Sequence, residues 1–66
     1  MDTFIINNEI YNSSREGIFI YDATNPYISR NRIFDNFDGI VVGYSSVTLI
    51  KNLIYKNKSC GVVIVK

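Results

Sequence analysis

Apolar residues along this chain fall in short clusters at alternate positions, separated by polar residues, and the clusters return at a steady spacing. The fullest statement of the pattern runs from Ile28 to Val42. It reads Ile28, two variable residues, Asn31, Arg32, Ile33, the aromatic Phe34, a polar stretch, then Gly39 followed by Ile40, Val41 and Val42. An earlier copy reads Ile5, Asn8, Ile10, Tyr11 and closes with Gly17-Ile18-Phe19-Ile20. A later copy reads Leu49, Asn52, Ile54, Tyr55 and closes with Gly61-Val62-Val63-Ile64. Asn8, Asn31 and Asn52 are separated by 23 and 21 residues, as are Ile10, Ile33 and Ile54, so the period is near 22. Self-similarity at such a period predicts a stacked solenoid, in which each repeat buries its apolar side against its neighbours.

The clusters are too short for helical stripes and lack the Leu-x-x-Leu-x-Leu frame of a leucine-rich repeat. They are rich in Ile and Val at a spacing of two, which is strand spacing with strand residues. About three short strands per copy follow, in an all-β solenoid of three coils over residues 4–25, 26–46 and 47–66. Successive side chains of a strand point to opposite faces. The inward set is therefore Ile5, Ile10, Ile18, Ile20, then Ile28, Ile33, Ile40, Val42, then Leu49, Ile54, Val62, Ile64, with Phe19, Val41 and Val63 pointing out.

The turns follow from the polar residues. Bending a strand sharply calls for a residue in the left-handed region, which Asn tolerates better than other non-glycine residues. Asn8, Asn31 and Asn52 are expected there, with their side-chain amides hydrogen-bonding along the stack as a ladder. Asp22 to Pro26 links the first copy to the second, and Pro26 predicts a strand that starts just after it. The corresponding link Gly43-Tyr44-Ser45-Ser46 reads as two residues shorter.

Composition narrows the function classes. In 66 residues the net charge is +1 with both signs interspersed, which argues against a nucleic-acid surface built on bulk charge. There is no run of 18 apolar residues that would span a membrane, and no signal-peptide arrangement. Cys60 is the lone cysteine and there is no histidine, so no intramolecular disulfide and no Cys/His zinc site can form, and neither cofactor nor metal is expected. Cys60, directly before Gly61, reads as a small turn residue. Paired carboxylates on adjacent coils would be needed for glycoside or polysaccharide cleavage. Only Glu16 and Asp38 align, on connectors where acids are usually solvated, so catalysis by this chain is not expected.

Coil neighbours lie ~4.8 Å apart along a stack, which makes aligned positions informative. Glu9 aligns with Arg32, and Asp35 with Lys56, as complementary pairs. Tyr11, Phe34 and Tyr55 align as an aromatic column, with Phe4 and Tyr27 beside it. Arg30 and Lys51 align as two exposed cations able to meet a carboxylate or phosphate. Tyr11, Phe34, Tyr55, Arg30 and Lys51 are thus the candidate binding face, although the aromatics can equally stack on one another and the cations can simply be solvated.

The frame Asn25-Pro26-Tyr27-Ile28-Ser29-Arg30-Asn31-Arg32-Ile33-Phe34-Asp35-Asn36, followed by Gly39-Ile40, resembles the parallel β-helix repeat of the carbohydrate-binding and sugar-hydrolase class. The resemblance covers nearly the whole chain in three copies. It implies right-handed coils with three short parallel sheets. The Asn-Pro lead-in is similar to repeats of NosD-type proteins and of β-helical F-box proteins, where they serve as binding scaffolds. The Asp pairs and His-containing segment that pectin-degrading members use have no counterpart here. A non-catalytic module presenting a side face to a protein or carbohydrate partner is the leading expectation; a fragment of a carbohydrate-active enzyme with its catalytic coils elsewhere is the alternative. Uncapped coils expose strand edges, so these residues are expected to belong to a longer β-helix or to stack end to end with other copies.

Overall fold

The computed structural model describes residues 2–66. Its strands are β1 (Asp2–Ile6), β2 (Glu9–Tyr11), β3 (Glu16–Tyr21), β4 (Thr24–Ser29), β5 (Arg32–Phe34), β6 (Asp38–Gly43), β7 (Thr48–Ile50), β8 (Leu53–Tyr55) and β9 (Val62–Val65). Every third strand pairs, in parallel, to give the sheets β1-β4-β7, β2-β5-β8 and β3-β6-β9. The chain therefore makes three coils, each contributing one strand to each sheet.

The register places the inward aliphatics in columns. Ile5, Ile28 and Leu49 align, as do Ile10, Ile33 and Ile54, then Ile18, Ile40 and Val62, then Ile20, Val42 and Ile64. In the middle coil Ile28, Ile33, Ile40 and Val42 are all 0% exposed, because a coil packs on both sides of them. In the third coil Val62 and Ile64 are 40% and 46% exposed, since only one neighbour covers them. The strand alternation read from the sequence holds: Phe19, between buried Ile18 and Ile20, is 60% exposed.

Side-chain amides pin the corners. Asn31 accepts at Oδ1 from the backbone N–H of Asn8 (2.9 Å) and from its Nδ2 (3.2 Å), while its own Nδ2 donates to the Ile5 carbonyl (2.9 Å) and to Asn52 Oδ1 (3.1 Å). Asn52 likewise receives the Asn31 N–H (3.0 Å) and donates to the Ile28 carbonyl (2.9 Å). The expected ladder is present. A second ladder, not foreseen, stands at the next corner, where Asn36 Oδ1 accepts from the Ser13 N–H and Asn57 Oδ1 from the Asn36 N–H, at 3.0 and 3.1 Å. Asn36 and Asn57 donate in turn to the Ile10 and Ile33 carbonyls.

The left-handed residues are not the ladder asparagines. They are the residues just before them, Asn7, Arg30 and Lys51, with φ of 60°, 57° and 57°. The division of labour is physical: one residue turns the backbone with its side chain in solvent, and the next aims its amide into the corner. The second corner repeats this with Asn12, Asp35 and Lys56, and the third with Asp22 and Tyr44.

Two further expectations are corrected. β4 starts at Thr24, two residues before Pro26, because Asn25 and Pro26 together face the single residue Thr3 in a β-bulge between the pairs Asp2–Thr24 and Phe4–Tyr27. Proline suits a bulge, since its missing N–H has no ladder partner to forgo. With Tyr21 paired to Gly43 and Tyr27 to Thr48, the second link is one residue shorter than the first, not two. Gly39 is required by a close approach: a Cβ there would sit 2.4 Å from the Gly61 carbonyl oxygen and 2.9 Å from Ile54 Cγ2.

Candidate binding surfaces

The outer face of β2-β5-β8 carries two columns. One is aromatic: Tyr11 and Phe34 stack at 5.1 Å between centroids with 10° between planes, and Phe34 and Tyr55 at 5.1 Å with 13°. The rings cover one another's faces, so the column presents mainly edges to solvent. The other column is Glu9, Arg32 and Leu53. Arg32 locks the two together. Its Nη1 donates to Glu9 Oε2 (2.6 Å), its Nη2 donates to the Tyr55 hydroxyl (3.1 Å), and its guanidinium carbon lies 5.7 Å from the Phe34 ring centroid. The Tyr55 hydroxyl first and the Glu9 carboxylate second raise the Arg32 pKa above its ordinary value.

Arg30 and Lys51 lie at the first corner, exposed, each the left-handed residue of its coil. Arg30 Nη1 reaches Ser29 Oγ at 3.4 Å. Across the face the order is corner cations, asparagine ladder, the Arg32 column, then the aromatic column. Asp35 and Lys56 are coil neighbours through their backbones, the Asp35 N–H donating to the Lys56 carbonyl at 3.0 Å. Their expected ion pair is not formed; among the described residues the ion pairs are Arg32–Glu9 and Arg15–Glu16.

The outer face of β3-β6-β9 differs in kind. Its outward positions are Phe19, Val41 and Val63 in one column and Tyr21, Gly43 and Val65 in the next. None is polar. Phe19 is 60% and Tyr21 62% exposed. The Tyr21 ring lies over Gly43, where a Cβ would meet its Cδ1 at 2.9 Å, and packs edge-on against Tyr44 at 5.4 Å. A signal for this face is legible in the sequence: Tyr21 stands 22 residues before Gly43, so a large ring and a gap align.

The aligned acids Glu16 and Asp38 face each other in register, but Asp38 Oδ1 accepts the Cys60 N–H at 3.0 Å and so fastens one coil to the next. Cys60 is exposed and unpaired. A shallow open depression of about 470 Å³ lies over the second corner, lined by Asn12, Ser13, Ser14, Asp35, Lys56 and Lys58. Among the described residues no cluster of three or more His, Cys, Asp or Glu side chains could hold a metal ion. Among the described residues no helix is long and apolar enough to cross a membrane, which says nothing of membrane-spanning strands.

Three parallel sheets wound coil on coil, with asparagine ladders at two corners, define a parallel β-helix. The family model described as a right-handed β-helix region matches residues 2–66, so the chain belongs to that family and its coils are right-handed. No curated protein and no solved structure compared with the chain matches it.

Proposed function

We propose that this chain is a non-catalytic interaction module, a rigid β-helix segment that docks a protein partner on the outer face of its third sheet. The observation that carries this reading is the composition of that face. A sheet with one face in the core and the other in water alternates apolar and polar residues. Here the outward positions Phe19, Tyr21, Val41, Gly43, Val63 and Val65 are apolar or glycine throughout. Phe19, Tyr21 and Val65 are exposed, Val41 and Val63 half-buried between them, and Gly43 lies under the Tyr21 ring; an apolar patch of this kind on a small domain marks an interaction site. The aromatics on it add large contact area with few rotatable bonds to freeze. The similarity to repeats that serve as binding scaffolds points the same way.

A photo-crosslinker at position 41 and another at position 34 test the choice of face. The proposal expects a protein captured from position 41 that, once purified, rebinds the native chain and loses at least about tenfold in affinity to Phe19→Asp, a change from half-exposed ring to charge at a contact centre. Glycan binding that is abolished by Phe34→Ala and untouched by Phe19→Asp would replace it with a carbohydrate-binding reading of the aromatic column. Turnover of a polysaccharide that is lost on replacing Asp38 or Glu16 would replace it with an enzymatic one.

A further inference from the structure

The outer edges of the first and third coils are complementary to each other. At the first corner the junction between the first and second coils and the junction between the second and third use the same bonds. Asn7 N–H donates to the Ser29 carbonyl as Arg30 N–H donates to Ile50 (both 3.1 Å), and Arg32 N–H donates to Asn8 as Leu53 N–H donates to Asn31 (2.8 and 2.9 Å). Asn8 meets Asn31 Oδ1 as Asn31 meets Asn52 Oδ1. At that corner the far edge of the third coil thus repeats the donors and acceptors that the second coil turns to the third, and the near edge of the first coil repeats those that the second turns to the first.

Charge is graded along the same axis. Residues 4–25 hold Glu9, Glu16 and Asp22 against Arg15, a net charge of −2. Residues 26–46 hold Arg30 and Arg32 against Asp35 and Asp38 and balance, while residues 47–66 hold Lys51, Lys56, Lys58 and Lys66 with no acid, a net charge of +4. The basic end would meet the acidic end, and never its own kind, only if copies align in the same direction.

We propose that a second copy of this chain stacks head to tail on the first, the third coil of one against the first coil of the next, continuing the helix in register. Asn52 of one copy then donates its N–H and Nδ2 to Asn8 Oδ1 of the next. The Asn8 amide, which here donates to the Ile6 carbonyl two residues away at 3.0 Å, turns to the Leu49 carbonyl as Asn31 Nδ2 turns to Ile5. Tyr55 extends the aromatic column onto Tyr11, and Lys66 falls in line with Asp22, following the register in which the Asp22 N–H donates to Gly43 and the Tyr44 N–H to Val65. The exposed Val62 and Ile64 are covered. Such a contact is heterologous, so it extends into a filament instead of closing as a dimer.

Two substitutions separate stacking from folding. Leu53 pairs with Arg32 within the chain and would face Glu9 of the next copy. Leu53→Glu therefore suits the monomer and sets two acids against each other across the contact. A Cβ at Gly61 meets only Ile54 Cγ2 at 3.5 Å within one copy. In the stack it takes the place of Gly39, whose Cβ would strike the carbonyl of the coil above, so Gly61→Ala blocks the contact sterically.

Light scattering of the chain over a range of concentrations, with circular dichroism, reads the result. Species growing in multiples of 7.6 kDa with rising concentration are expected, weakening as salt is raised. Leu53→Glu should raise the dissociation constant about fivefold, the upper range for one exposed charge pair, and Gly61→Ala should abolish growth. Folding that appears only on association also supports the proposal, provided Gly61→Ala suppresses both. A folded chain that stays monomeric throughout overturns it. Growth that survives both variants but is lost with Phe19→Asp also overturns it, and assigns association to the side face.

Discussion

Asn31 Oδ1 holds the Asn8 backbone N–H at 2.9 Å and the Asn8 side-chain amide at 3.2 Å, so a single buried oxygen closes the corner between two coils. With its Nδ2 on Ile5 and Asn52, all the polar atoms of this 1%-exposed side chain are engaged. Asn31→Ala would leave the part-buried Asn8 N–H and Ile5 carbonyl without their partners. A loss of about 2–4 kcal/mol is expected, read as a lowered urea midpoint. Asn31→Asp should be worst at neutral pH, because burial raises the carboxyl pKa and the folded state favours the protonated form. A folded pKa above the unfolded one means its stability is present at low pH and lost as pH rises; urea midpoints at about pH 4 and 7 check the sign.

Gly39 and Gly61 occupy the same place in successive coils and should respond oppositely to a methyl group. At Gly39 the Cβ would lie 2.4 Å from a backbone oxygen, which cannot rotate away. Gly39→Ala should cost about 3 kcal/mol as overpacking, while Gly61→Ala in dilute monomer should stay within about 0.5 kcal/mol of the native chain. Equal losses at both sites, by thermal or urea unfolding, would contradict the packing described.

Arg32 is the hinge of the second sheet's outer face, yet it is open to solvent. Arg32→Met should lower the urea midpoint slightly at low salt and less at high salt, since exposed ion pairs are screened. Because the partners raise its folded pKa, its contribution is present below the unfolded pKa and lost only as pH climbs through the folded one, in strongly alkaline solution. Between mildly acidic and neutral pH the contribution of the guanidinium charge itself should be constant, which a pH series comparing native and variant chains measures.

Lys51 bends the third coil's first corner with φ at 57°, where the first coil uses Asn7 at φ 60°. A lysine side chain gains nothing from that conformation, and asparagine tolerates it. Lys51→Asn should stabilise the fold by up to about 1 kcal/mol, the low end of the cost of a left-handed non-glycine residue. The same variant tests one corner cation: binding of a phosphorylated or carboxylated probe that is unaffected would remove Lys51 from the candidate face.

The coil count, the strand columns and the first asparagine ladder were legible because period-2 patterning and a 22-residue repeat act on many residues at once. The second ladder was overlooked although Asn36 and Asn57 keep the same 21-residue step as Asn31 and Asn52; Ser13 in the first coil broke the visible repetition. The left-handed residues lie one position before the expected asparagines because the chain divides bending and bonding between neighbours, which a residue type alone does not reveal. The Asp35–Lys56 pair shows the limit of alignment: register brings backbones together, while exposed side chains settle by solvation.

The bulge at Asn25-Pro26 and the shorter link between Gly43 and Thr48 let coils of unequal length share one stack. The coils differ in residue number, with offsets of 21, 22 and 23 between paired residues, yet the inward columns stay aligned. Axial spacing is kept by the ladders and sheets, and contour length is absorbed at the corners. Insertions at the corners can therefore lengthen the perimeter without phase error in the stack, leaving the corners open to variation while the interior stays periodic.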